Sequence, residues 1–233
     1  MDSSLKCKAD IKTIVFDADD TLWDCQSHFE DVTDSCCELL RPYADAAAVR
    51  ASLFRTEEAN MPDYGYGTKA FTLSLVENAI RVSGNRIGGD EVRQLLDMGR
   101  QLLHMPATPL PGVVDTLQRL SEHYTLFLFT KGELLDQQNK LRRSHLKRFF
   151  RDVRIVSDKT VREYERSGFF ARPDQTLMVG NSFKSDIQPA LTIGAWAAYI
   201  PFYVTWQLEQ TATFQHPRLY HLEHFGQLTD LLL

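Results

Sequence analysis

Thr13-Ile14-Val15-Phe16-Asp17-Ala18-Asp19-Asp20-Thr21 is the stretch that decides the fold of this 233-residue chain. Its first four residues are apolar or β-branched and carry no charge, the texture of a short buried strand. The chemistry then changes abruptly, with carboxylates at Asp17, Asp19 and Asp20. Asp17 ends the strand. Asp19 lies two positions on, so on extended backbone both acids face one side.

Downstream of this stretch the texture becomes helical. Apolar residues recur at helical spacing from Ser27 to about Leu103. The pattern predicts helices over Ser27–Leu40, stopped by Pro42, and over Asp45–Glu58. Met61-Pro62-Asp63-Tyr64-Gly65-Tyr66-Gly67 reads as a loop from its Pro and Gly content. A third helix carries Phe71, Leu75 and Ala79, and glycines from Gly84 to Gly89 end it. Asp90 reads as the N-cap of a fourth, reaching about His104.

After the stiff connector Pro106 to Gly112, strands and helices alternate. Strands are expected at Thr125–Phe129, Val153–Val156, Thr176–Val179 and Ala197–Ile200. Helices are expected at Val113–Leu120, Glu133–Leu146, Val161–Arg166 and Ser185–Ile193. Such alternation implies βαβ units and a parallel sheet covered on both faces. With Thr13–Phe16 the sheet has five strands. The expected fold class is α/β: a Rossmann-like parallel core, residues 1–22 and 107–233, with an inserted α-helical domain, residues 23–106.

In an open α/β sheet, ligands bind beyond the carboxyl ends of the strands. The polar residues there are Asp17 and Asp19, then Thr130, then Ser157, Asp158 and Lys159, then Asn181, Ser182 and Asp186. A carboxylate can attack phosphorus to form an aspartyl-phosphate that water later hydrolyses. A hard dication with oxygen ligands brings anionic nucleophile and anionic phosphate together. Asp186 and Asn181 offer oxygens for such an ion, Lys159 a second positive charge, and Thr130 a hydrogen bond.

These motifs in order, Val15-Phe16-Asp17-Ala18-Asp19-Asp20-Thr21, Leu128-Phe129-Thr130-Lys131-Gly132, Lys159, and Gly180-Asn181-Ser182-Phe183-Lys184-Ser185-Asp186, resemble the four motifs of the haloacid dehalogenase-like hydrolase superfamily. The resemblance covers about residues 10–22 and 107–205, and the helical insertion fits that superfamily's helical cap. It implies a Mg2+ cofactor and a role for each position. Asp17 would be the nucleophile and a metal ligand. Asp19 would be the general acid/base, with its backbone carbonyl on the metal. Thr130 and the amide of Lys131 would bind phosphate, Lys159 would orient nucleophile and phosphate, and Asp186 would complete the metal site. Asn181 stands where the pattern usually has Asp, which keeps an oxygen but removes one negative charge. Dehalogenase members lack an acid two residues after the nucleophile, because no leaving oxygen needs a proton. Asp19 therefore favours phosphate-ester cleavage. The alternatives are a phosphotransferase or mutase, a dehalogenase, or a binding protein of weak activity.

The remaining expectations are plainer. Net charge is −5, from 26 basic and 31 acidic residues, which argues against nucleic acid as a partner. The expected partner is a small phosphorylated metabolite. Residues Met1 to Lys12 lack the apolar stretch of a signal peptide, and no run approaches a membrane span. Cys7, Cys25, Cys36 and Cys37 form no CxxC or zinc spacing and read as reduced thiols, so a cytoplasmic location is expected. Asp20 and Thr21 are expected to build the turn, and Ser182 to cap a helix. Lys69 and Trp23 are candidate specificity residues. The basic run Lys140 to Arg148 reads as the wet face of a helix. His216, His221 and His224 match no metal-binding spacing.

Overall fold

The computed structural model describes Cys7 and residues 9–233. Its centre is the quoted stretch: β1 (Thr13–Phe16) lies in the middle of a six-stranded parallel sheet. The other strands are β2 (Thr125–Lys131), β3 (Asp152–Val156), β4 (Thr176–Gly180), β5 (Trp196–Tyr199) and β6 (Leu219–His221), in the order β3-β2-β1-β4-β5-β6. β1 pairs with β2 and β4 in level register, Phe16 opposite Leu128 and Val179. The residues that follow these strands therefore emerge side by side. They do so where chain order reverses across the sheet, the topological switch point at which α/β sheets bind ligands.

Alternation along the strands sorts the core into two layers. Ile14, Phe16, Leu126, Leu128, Leu177 and Val179 pack on one face, against α5 (Val113–Ser121) and α9 (Gln227–Leu232). Val15, Phe129 and Met178 pack on the other, against Tyr164 of α7 (Val161–Arg166) and Ala190 of α8 (Gln188–Thr192). Phe16 is fully buried and touches Phe150 and Phe225 at centroid distances of 6.1 and 5.7 Å. Burial of such a ring stabilises the fold by roughly 2–3 kcal/mol.

The insertion has its own apolar core. Cys36, Leu40, Val49, Leu53, Phe71, Leu75, Ala79 and Leu95 cluster between α1 (Gln26–Leu40), α2 (Ala46–Tyr64), α3 (Thr68–Val82) and α4 (Gly89–Leu103). Its two connections to the sheet run together: Trp23 forms bridges with Asp19 and Pro109, and Leu110 N–H donates to the Leu22 carbonyl at 2.8 Å.

Three expectations are corrected. The segment from Met61 to Tyr64 is helical, because Pro62 removes only one backbone donor and α2 ends instead at Gly65, with φ +66°. Gly88 caps α4 in place of Asp90, and the Glu91 carboxylate accepts the Gly88 N–H at 2.7 Å. The sheet has six strands, not five. β6 is three residues long, and its strand character comes from pairing with β5, so no local run announces it.

No helix among the described residues is long and apolar enough to cross a membrane. The cysteines are free thiols.

Candidate active site

Asp17 leaves β1 with its N–H bonded to the Val179 carbonyl at 2.9 Å, which ties the first acid to the sheet. The turn after it is built locally. Asp20 adopts a left-handed φ of +61° and accepts the N–H groups of Cys25 and Gln26 at 2.8 and 2.9 Å, so it starts α1. Burial pushes the Asp20 carboxyl up to about 7. The Thr21 hydroxyl lies 3.0 Å from both Asp17 Oδ2 and Asn181 Oδ1 and accepts the Asn181 N–H at 3.1 Å. It joins the first and last motifs.

Lys159 is 3% exposed and bridges two acids, with Nζ 2.5 Å from Asp17 Oδ1 and 2.7 Å from Asp186 Oδ1. Burial alone would lower the Lys159 pKa, but the two carboxylates override it and hold the ammonium charged. Asp186 is 1% exposed. Burial pushes it up to about 7 against the pull of Lys159, and the Asp17 charge adds to the rise. Asp186 Oδ2 also accepts the Ser182 N–H at 2.9 Å. Gly180 makes this possible: a Cβ there would lie 2.2 Å from that oxygen. Ser182 caps the following turn, its hydroxyl accepting the Ser185 N–H at 3.0 Å.

Asp19 is clamped. Lys140 Nζ lies 2.8 and 2.7 Å from its two oxygens, Trp23 Nε1 donates to Oδ1 at 2.7 Å, and Gln137 Nε2 donates to Oδ2 at 2.8 Å. Burial would raise the carboxyl, yet the Lys140 ammonium and these hydrogen bonds hold it below the usual carboxylate range. Thr130 is 2% exposed at the end of β2, with its hydroxyl 3.4 Å from Gln137 Nε2. The Lys131 side chain reaches Ser185 Oγ, at 2.8 Å, and Glu209.

Asp17, Asp19, Thr130, Lys131, Lys159, Asn181 and Asp186 all line one cavity of about 510 Å³. Helix α2 contributes Leu53, Phe54, Glu57 and Met61 to its far wall. Two expectations fail here. Trp23 is fully buried in the sheet core and reaches the site only through Asp19. Lys69 does not line the cavity and pairs with Glu133 at 3.2 Å.

Lys140 and Gln137 belong to the site although they stand in none of its four motifs. They lie three apart on α6 (Leu134–Ser144), whose buried face is Asp136, Gln137, Lys140, Leu141 and Ser144. The spacing is helical, but a buried polar stripe is indistinguishable from a wet one by hydropathy. Lys140 is thus not on the wet face of its basic run.

The metal expected from the motifs can be judged by the donors. Among the described residues no group of three or more His, Cys, Asp or Glu side chains is placed to hold a metal ion. Asp17, Asn181 and Asp186 nonetheless converge: two meet the Thr21 hydroxyl and two meet Lys159. Their oxygens are hard donors of the kind a divalent cation prefers. This set fits a magnesium ion that keeps part of its water shell.

Residues 11–194 match the haloacid dehalogenase-like hydrolase family, and the chain belongs to it. It is an enzyme of the hydrolase class on a Rossmann-like α/β core. A solved haloacid dehalogenase-like family hydrolase from Xanthomonas campestris is 29% identical, with a TM-score of 0.85 over 96% of this chain and 91% of that one. YfnB of Bacillus subtilis (strain 168), named only as a HAD-hydrolase, is 27% identical over 76% of this chain and 78% of its own length. A crystal structure of YfnB is bound to magnesium and has a TM-score of 0.65, covering 94% of this chain and 97% of that one at 18% identity. A glyceraldehyde 3-phosphate phosphatase of Methanothermobacter thermautotrophicus is 26% identical over 82% of this chain and 85% of its own length.

Proposed function

We propose that this hydrolase is a magnesium-dependent phosphatase that cleaves a small phosphate monoester through an aspartyl-phosphate on Asp17. The observation that carries the reading is the pairing of Asp17, oriented by Lys159 and Thr21, with a second cavity-facing acid two residues on. An Asp17 oxygen attacks phosphorus, and the bond from phosphorus to the leaving oxygen breaks. Asp19 gives that oxygen a proton. Water then attacks the phosphoryl group on Asp17, Asp19 takes back a proton, and inorganic phosphate leaves. Lys159 and the Thr130 hydroxyl balance and orient the phosphoryl oxygens. Asp17, Asn181, Asp186 and the Asp19 carbonyl would hold Mg2+, which would supply positive charge to offset that of the nucleophile and the phosphate.

The proton economy of Asp19 is specific to this chain. In the free enzyme it is an ionised carboxylate held by Lys140, so acid catalysis requires a bound phosphate, whose negative charge raises its affinity for a proton. A dehalogenase has no use for this second acid. The insertion, residues 23–106, acts as the cap that closes the cavity. The free thiols accord with a cytoplasmic setting.

The test is phosphate release from p-nitrophenyl phosphate with Mg2+, with excess chelator, and with Asp17→Asn. Turnover is expected only for the wild type with Mg2+. Turnover by Asp17→Asn, or no turnover on any phosphate monoester, would end this reading.

A further inference from the structure

Between β5 and β6 the chain runs from Ile200 to Arg218 without a strand and crosses the mouth of the cavity. Its one regular piece is a 3-10 turn, Gln207–Glu209. Along this strap, the Tyr203 hydroxyl donates to Asp24 Oδ2 at 3.2 Å, Lys184 Nζ donates to the Leu208 carbonyl at 2.7 Å, Trp206 packs edge-on against Tyr66 with centroids 5.9 Å apart, and Phe214 packs edge-on against Phe183 at 5.0 Å. The first two contacts are solvent-exposed, and such bonds add little.

The strap's strongest tie is a carboxylate. Glu209 pairs with Lys131 and accepts the hydroxyls of Ser182 and Ser185, each at 2.6 Å. Its side chain is 11% exposed and that of Lys131 is 16% exposed. The three donors adjoin the residues of the site in sequence: Lys131 follows Thr130 at the end of β2, Ser182 follows Asn181, and Ser185 precedes Asp186 in the helical turn Phe183–Ile187. Tyr66 covers the Lys131 ammonium, 4.1 Å from its ring centroid. The donors therefore belong to the strand ends of the sheet, while the anion they hold comes from a segment without strand structure between β5 and β6.

We propose that Lys131, Ser182 and Ser185 form a subsite for a second anionic group on the substrate, a carboxylate or phosphate, and that Glu209 fills it until substrate displaces it. The proposal rests on the phosphatase reading and names its substrate class: phosphate monoesters that carry a further anion close to the ester. One ammonium and two hydroxyls match a carboxylate or a phosphate oxygen face, and an anion bound there gains charge-assisted hydrogen bonds. Glu209 competes for the same donors, so it weakens such substrates and excludes uncharged groups. Its release frees the strap and with it Trp206.

Two measurements test this on the full chain with Mg2+. Kinetics compare 3-phosphoglycerate with glycerol 3-phosphate, which has an uncharged CH2OH in place of the carboxylate. Glu209→Gln should lower the KM ratio of 3-phosphoglycerate to glycerol 3-phosphate on the order of tenfold, because the competing charge is gone. A purely structural anchor would move both KM values together. Separately, 3-phosphoglycerate should change the tryptophan emission of Asp17→Asn saturably. Glycerol 3-phosphate should not, and the change should vanish when Trp206→Phe is added. An unmoved KM ratio, or equal emission changes with both ligands, overturns the subsite. If no ester is hydrolysed, the phosphatase reading falls, and the emission experiment still judges the subsite by itself.

Discussion

Lys140 sets the protonation of the second acid. With its ammonium 2.7 Å from Asp19, the carboxyl stays below its ordinary range, against the upward push of burial. Asp19 is an acid only while protonated, so turnover falls as pH rises through its pKa. Lys140→Met removes the main force holding that pKa down, and the alkaline limb of kcat, which reports the substrate complex, should move to higher pH. A limb that stays in place in the pH–rate profile would show that another group titrates. Gly180 makes a sharper steric prediction. A Cβ there would meet Asp186 Oδ2 at 2.2 Å and Cβ at 2.6 Å, so the Asp186 side chain must shift. Gly180→Ala should lower kcat/KM on the order of 100-fold while the protein stays folded by circular dichroism. Both residues differ in legibility. Gly180 announces itself by standing at a strand end before Asn181. Lys140 lies inside a run of basic residues, and only its contact with Asp19, 121 positions away in the chain, gives it a role.

At the scale of elements, the insertion meets the core where α3 starts against α6. Thr68 is 1% exposed and donates to Asp136 Oδ2 at 3.0 Å. Thr68→Val keeps the shape and leaves a buried carboxylate one donor short, a loss of about 1–3 kcal/mol. Urea unfolding should show that loss. Lys69, the neighbouring residue, forms an exposed pair with Glu133, and such pairs contribute little. Helices and strands with strong local periodicity were readable in advance: β1 has the bounds its apolar run predicts, and α7 spans the expected Val161–Arg166. Elements whose existence depends on a partner were not. β6 is a strand because Leu219 and His221 pair with Ala197 and Tyr199. The last turn of α2 persists through Pro62 because Gly65, three residues on, supplies the left-handed stop.

Across the whole molecule, the cavity between sheet and insertion gathers acids that burial pushes up. Glu57, on the α2 wall, is raised to about 7 by desolvation and by the neighbouring charge of Glu30. A carboxyl raised in the folded state binds a proton there that the unfolded chain releases near pH 4. Its contribution to stability is complete below that pH and is lost as pH rises through about 7. Glu57→Gln keeps the hydrogen-bonding shape and removes the charge. It should leave the melting temperature unchanged at pH 4 and raise it by about 2–4 °C at pH 8, read by thermal scans at both values. Asp20, raised to about 7 in the same cavity, keeps some pH dependence in the variant. The sequence by itself determined the parallel α/β core and the strand ends that deliver Asp17, Asp19, Lys159 and Asp186 to one edge. Those features follow from short-range hydrophobic runs and from the geometry every parallel sheet shares. Only the tertiary structure decided which side chains hold those acids: Lys140 and Gln137 on Asp19, Trp23 buried behind it, and Glu209 over Lys131. These are pairings between residues far apart in the chain, and hydropathy cannot distinguish a buried, partnered charge from a solvated one.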